Sequence, residues 1–181
     1  MRENSFDPRS AVESILFLAR RVNNPTLHEI LKLRYFADKL HMSRYGFVAS
    51  KDSYVAMEFG PVASKTYDLL KAARGERGRF IPANYPQLVA GTVVVAGDAV
   101  TALRDPDLDL LSPADIECMG EAVRLWGNMG FKERTDLSHD DAWKMGWQEA
   151  ESRRKGQGEM PLTAIAGTLD NAEQVLEYMA A

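Results

Sequence analysis

The sequence predicts a mainly α (α+β) fold: a helical domain around a central long helix with a small β-hairpin. Three observations carry this. Apolar residues recur at helical spacing between most of the breakers. Leu27, Ile30, Leu31, Leu33, Tyr35, Phe36, Ala37 and Leu40 occupy much of one helix circumference, as burial on more than one side demands. Val93-Val94-Val95 and Ala99-Val100-Thr101-Ala102 flank Gly97-Asp98, a hairpin pattern.

The elements follow in order. Asp7-Pro8 opens a first helix, with Asp7 as cap, Pro8 in the first turn, and Val12, Ile15, Leu16 and Ala19 on the apolar face while Glu13 points elsewhere. Asn24-Pro25 ends it. Thr26 and Glu29 have the spacing of a reciprocal capping box for the long helix, which runs to about Arg44 before Gly46. Residues 46–61 read as a loop or short extended segment, and Gly60-Pro61 as the start of a helix reaching Arg74. Residues 75–87 are irregular and 92–103 hold the hairpin. Ser112-Pro113 opens a helix ending near Gly127, a further helix starts at Ser138, and residues 152–159 form a polar break. Asp170 and Glu173 cap a last helix over 170–180. No repeat or long linker divides the chain, so 1–181 is expected to be one domain.

With 45% hydrophobic and 27% charged residues the composition is that of a globular chain. A net charge of −4 lacks the positive field of a dedicated nucleic-acid binder. The N-terminal segment has no apolar run and no stretch reaches membrane-span length, so the expected location is cytoplasmic. One cysteine, Cys118, excludes an internal disulfide, and its apolar helix neighbours predict a packed thiol.

Catalytic patterns are sparse. His28-Glu29 would need a second histidine at position 32 to hold zinc, and Lys32 stands there. Glu29 therefore reads as a cap and His28 as solvated. His139-Asp140-Asp141 reads as the first turn of a helix, where carboxylates are favoured. Arg34 and Asp38 are spaced for an i,i+4 ion pair. Lys71, Arg74, Arg77 and Arg79 read as a solvated basic cluster. Neither metal nor cofactor is expected, since His28, His41 and His139 are dispersed. The segment Tyr54, Met57, Phe59, Gly60, Pro61 sets large apolar side chains against a rigid turn. Tyr54 and Phe59 are expected to fold back into the core, and the spacing leaves Met57 open.

Lys32-Leu-Arg-Tyr-Phe-Ala-Asp38, His41, Tyr45-Gly46, Tyr54-Val-Ala-Met57, Gly60-Pro-Val62 and Tyr67-Asp-Leu-Leu70 together resemble the Panacea domain family of SocA-like antitoxins, which also includes phage-associated proteins. Leu137-Ser-His-Asp-Asp-Ala-Trp143 and Ala166-Gly-Thr-Leu169 look like the same family's later half. One departure is Phe47-Val-Ala-Ser-Lys51, where the family commonly has an Arg- or Lys-Pro-Ile turn. The resemblance implies a bacterial antitoxin that neutralises a cognate toxin protein by direct association. It further implies a proteolytic adaptor handing that toxin to a Clp-class AAA+ protease, with no enzymatic activity. The contact surface is expected at Lys51, Tyr54, Met57, Glu58, Phe59, Gly60 and Pro61. Two other classes stay open: a small cytoplasmic hydrolase using His139 with a carboxylate, and a DNA-binding autorepressor. The latter needs a basic recognition helix, and no helix has that charge pattern.

Overall fold

The computed structural model describes residues 5–181; the first four residues of the N-terminal segment lie outside them. Helix α1 (Pro8–Ala19) starts as expected, with the Asp7 carboxylate accepting from the Arg9 amide at 2.9 Å. Its Glu13 departs from expectation. It is buried, held by Arg104 at 2.6 and 2.8 Å and by the Asp107 amide at 2.7 Å.

Helix α2 (Leu27–Tyr45) is the centre of the molecule, and every residue from Glu29 to Asp38 is buried. Thr26 caps it by accepting from the Glu29 amide at 3.2 Å. The Glu29 carboxylate faces back to the Thr26 amide, as the capping box has it, and also pairs with Arg134 at 3.1 Å. Gly46 ends the helix at φ +82°, a left-handed conformation that costs glycine nothing.

The segment after α2 holds the short extended stretch, but Gly60-Pro61 continues it as a hairpin instead of starting a helix. Strand β1 (Tyr54–Met57) pairs antiparallel with β2 (Gly60–Ala63), with Tyr54 opposite Ala63 and Met57 opposite Gly60. Gly60 lies at φ +107°, outside helical space, and Pro61 sits on an edge strand, where its missing N–H is tolerated. The helix that follows, α3 (Ser64–Ala73), is capped from a distance. Asp52 accepts from the Lys65 and Thr66 amides at 3.0 and 2.8 Å and from the Thr66 hydroxyl at 2.8 Å.

A short helix, α4 (Tyr85–Val89), interrupts the irregular stretch. The second hairpin is as expected, β3 (Val93–Ala96) against β4 (Ala99–Ala102). After a single 3-10 turn, Ser112 caps α5 (Pro113–Trp126) through the Asp115 amide, and α5 packs along α2. Helix α6 (Phe131–Ser138) ends where a new helix start was expected. Ser138 closes it, and Asp140 caps α7 (Asp141–Ser152) by accepting from the Trp143 amide at 3.0 Å. Strand β5 (Gly158–Met160) then joins the free side of β1, giving the order β2-β1-β5, and α8 (Leu162–Ala166) and α9 (Ala172–Ala180) complete the chain. The last helix is preceded by Asn171, and no side chain caps it. One contiguous cluster of buried residues runs from α1 through Val175, and Trp126 and Trp143 lie partly buried at its edge.

Candidate functional site

Helix α2 presents two polar constellations, one sealed and one open. The sealed one begins at Arg34. Its guanidinium donates to both oxygens of Asp115, at 2.7 and 3.2 Å, and to Asp38 at 2.9 Å. Asp38 also accepts from the Tyr54 hydroxyl at 2.6 Å, the Ser50 amide at 3.0 Å and the Ser50 hydroxyl. Arg34 and Asp38 are each 1% exposed. Burial works against the Arg34 charge, but the two carboxylates outweigh it and raise its pKa. Burial, then Asp38, pushes the Tyr54 phenol well up. The expected i,i+4 pair forms and is the joint between α2, the 46–53 segment, β1 and α5.

The open constellation is a groove of ≈ 670 Å³ beside the β1–β2 turn. The turn contributes Met57, Glu58, Phe59 and Gly60; α2 contributes His28 and Lys32; Phe131 and Trp147 come from α6 and α7. Phe59 and Phe131 are each 53% exposed and meet at 5.5 Å between ring centroids. His28 lies 4.1 Å from the Phe131 ring. A wall of stacked rings backs the groove. His139 lies 3.4 Å from Trp143, Trp143 is stacked 6.0 Å from Trp147, and the Trp143 indole donates to the Met57 carbonyl at 2.9 Å.

The groove floor carries uncompensated cationic chemistry. Lys32 is 2% exposed and its Nζ donates to the Pro61 carbonyl at 2.8 Å. Burial, then the Arg134 charge, brings its pKa down to about 7. Burial, then Lys32 and Arg134, pushes His28 down to about 3, so it is neutral and not solvated as expected. Its Nε2 lies 2.9 Å from the Thr135 hydroxyl. Burial, then Lys32, also lowers His139, whose Nε2 is buried without a partner.

The expected contact residues separate. Met57, Glu58, Phe59 and Gly60 line the groove, Met57 half-buried and Glu58 exposed. Phe59 does not fold into the core as expected, because a two-residue turn leaves its ring outside the sheet. Tyr54, Gly60 and Pro61 are buried, and of these only Gly60 lines the groove. Lys51 is exposed at the other end of β1, beside a shallow cavity next to Ser50 and Asp7. Sequence reading missed Lys32, Phe131 and Trp147. The available signal was a lysine between Leu31 and Leu33 on a helix apolar all round. Of the basic cluster, Lys71 pairs with Asp68, and Arg74 with Glu76 and Asp98. Cys118 is buried as expected, and burial raises its pKa.

Among the described residues no group of three or more His, Cys, Asp or Glu is arranged to hold a metal ion, and no helix is long and apolar enough to cross a membrane. The family model for the SocA-like antitoxin Panacea domain matches residues 30–144. No curated protein and no solved structure matches the chain. The matched span covers well over half of the sequence and contains most of α2, the β1–β2 hairpin, α5, α6 and the first turn of α7. The chain therefore belongs to the SocA-like antitoxin family through its Panacea domain.

Proposed function

We propose that this protein is an antitoxin that neutralises a cognate toxin by direct binding, and that the groove beside the β1–β2 turn is the docking surface. One observation supports the surface above others. Within the matched family span, Phe59 and Phe131 are held half in solvent as a ring pair at the mouth of the groove. Paired exposed aromatics give a partner large apolar area at small entropic cost, and their mounting is stiff. Phe59 is carried by a two-residue turn with β1 tied on both sides, and Phe131 stands at the start of α6. Glu58 supplies a rim charge that sets partner choice more than affinity.

The experiment is capture of the protein encoded by the neighbouring gene, with growth rescue in parallel, using the parent and Met57→Ser/Phe59→Ser. Both variant sites are exposed or half-exposed, so the fold is expected to survive. Capture and rescue fall together if the groove is the interface. Undiminished capture by the folded variant places the interface elsewhere, with Lys51 and the 71–79 segment next to be tested. Repeating the rescue with and without a Clp-class protease separates blocking from delivery, since only delivery lowers the toxin level.

A further inference from the structure

The groove described above has a charge on its floor that no acid among the described residues answers. Lys32 lines it, and its Nζ donates one hydrogen bond to the Pro61 carbonyl and has two further protons to place. Among the described residues no carboxylate lies within ion-pair distance of it. The surrounding charges have other engagements. Glu29, on the same helix, is taken by Arg134 at 3.1 Å. Asp98 on the far rim faces Arg74 at 3.8 Å. Asp140 accepts from the Tyr35 hydroxyl and from Lys39, at 2.7 and 2.8 Å. Glu58 is exposed on the turn, and Asp136 pairs with Lys132. The remaining neighbours are His28, Arg134 and His139, and none of them is an acid. A lysine ammonium sealed at 2% exposure without a counter-charge is costly to keep, and a buried charge is ordinarily paired.

The backbone around Nζ is built for close approach. A Cβ on Gly60 would come within 2.6 Å of Lys32 Cε and would overlap the Ser138 hydroxyl. Gly60 also needs φ +107° for the turn. The bare Gly60 backbone therefore lets the turn pack directly against Lys32, whose side chain lines the groove beside it.

We propose that the groove receives a segment of the partner toxin that presents an acidic side chain between apolar ones. The carboxylate is accepted by Lys32 Nζ, and the flanking apolar groups rest on Phe59 and Phe131. The occupant is a polypeptide rather than a free anion because the cationic floor lies under an aromatic mouth, and only a chain offers both chemistries at once. This assignment rests on the reading of the groove as the docking surface. Charge complementarity of this kind fixes register and rejects wrong partners: a toxin segment with an amide in place of the acid leaves the buried ammonium unanswered.

The test uses the full chain and two blocked peptides, acetyl-Ala-Leu-Glu-Leu-Ala-amide and its Gln counterpart, titrated in amide and lysine-side-chain NMR spectra near pH 6.5. The acidic peptide should bind at least tenfold tighter than the amide one, a difference of about 1.4 kcal/mol. It should shift the Lys32, Gly60 and Phe59 resonances together. Lys32→Met should fold, since it replaces a buried charge by a side chain of similar length, and it should reduce the tenfold preference to parity. Equal binding of the two peptides, no saturable binding of the acidic one, or an unchanged preference in Lys32→Met would overturn the proposal. Acetate binding to Lys32 as tightly as the acidic peptide would also overturn it, by showing a free-anion site. The docking reading fails separately, when Met57→Ser/Phe59→Ser still captures the toxin.

Discussion

Arg34 on α2 and Asp115 on α5 face each other as a fork on a fork, with hydrogen bonds of 2.7 and 3.2 Å between two buried side chains. Asp38 and Tyr54 extend the same joint to the β1–β2 hairpin, so one guanidinium ties the two main helices and the rim of the groove together. Removing one member of a buried pair leaves the other charge unanswered, which is worse than losing both. Arg34→Ala is expected to lower unfolding stability by about 3–5 kcal/mol in urea melts. A loss below about 1 kcal/mol would show that the joint relaxes or hydrates.

Acid should loosen the structure through His28. Its pKa is about 3 in the folded chain against an ordinary 6.5, so the unfolded chain binds the extra proton between those values. Stability is then fully present above pH 6.5 and declines as pH falls towards 3. With partial exposure taken into account this amounts to roughly 2–3 kcal/mol. His28→Gln should flatten that part of the profile. A parent and variant with parallel profiles from pH 7 to 4 would reject the assignment.

Lys32 acts in the alkaline range. Its folded pKa of about 7 lies below the ordinary 10.5, so the unfolded chain holds more protons between them and stability rises with pH across that window. Lys32→Met removes the rise and should be more stable than the parent by roughly 1–3 kcal/mol at pH 6, with the advantage gone near pH 10.5. Tyr54, whose pKa is raised, acts oppositely and only above pH 10. Denaturant midpoints measured at pH 6, 8 and 10 decide the matter.

The sheet and α7 meet through two glycines. A Cβ on Gly158 would overlap the Gly146 carbonyl oxygen, and one on Gly146 would lie 2.8 Å from the Glu159 carbonyl oxygen. Backbone cannot step aside as a side chain tip does, so Gly158→Ala is expected to cost about 1–3 kcal/mol and to detach β5 from β1. Faster amide exchange at Tyr54 and Ala56 would report the detachment. Unchanged exchange would show that β5 does not depend on this contact.

At the groove, Met57→Ser/Phe59→Ser should weaken toxin binding at least tenfold, about 1.4 kcal/mol, with the thermal midpoint nearly unchanged. Calorimetric titration against the purified toxin reads it directly. Equal affinity would remove the hairpin turn from the interface.

Local chemistry alone determined the helical class, the central position of α2, the caps at Asp7, Thr26 and Ser112, and the hairpin at Gly97-Asp98. Each rests on neighbours within a few residues: an oxygen facing free amides, a period of 3.6, a turn that needs positive φ. Tertiary structure decided the rest. Gly60-Pro61 is compatible with a helix start by local rules, but pairing with β1 draws its backbone into an edge strand. Arg34 and Asp38 have the spacing of an i,i+4 pair, and only α5, folding back with Asp115, makes them a sealed joint. Glu29 gains a second partner beyond its cap because Arg134 arrives from α6. Lys32, His28, Phe59 and Phe131 form a groove although no local pattern links them, because burial and charge at a site depend on which distant segments close over it.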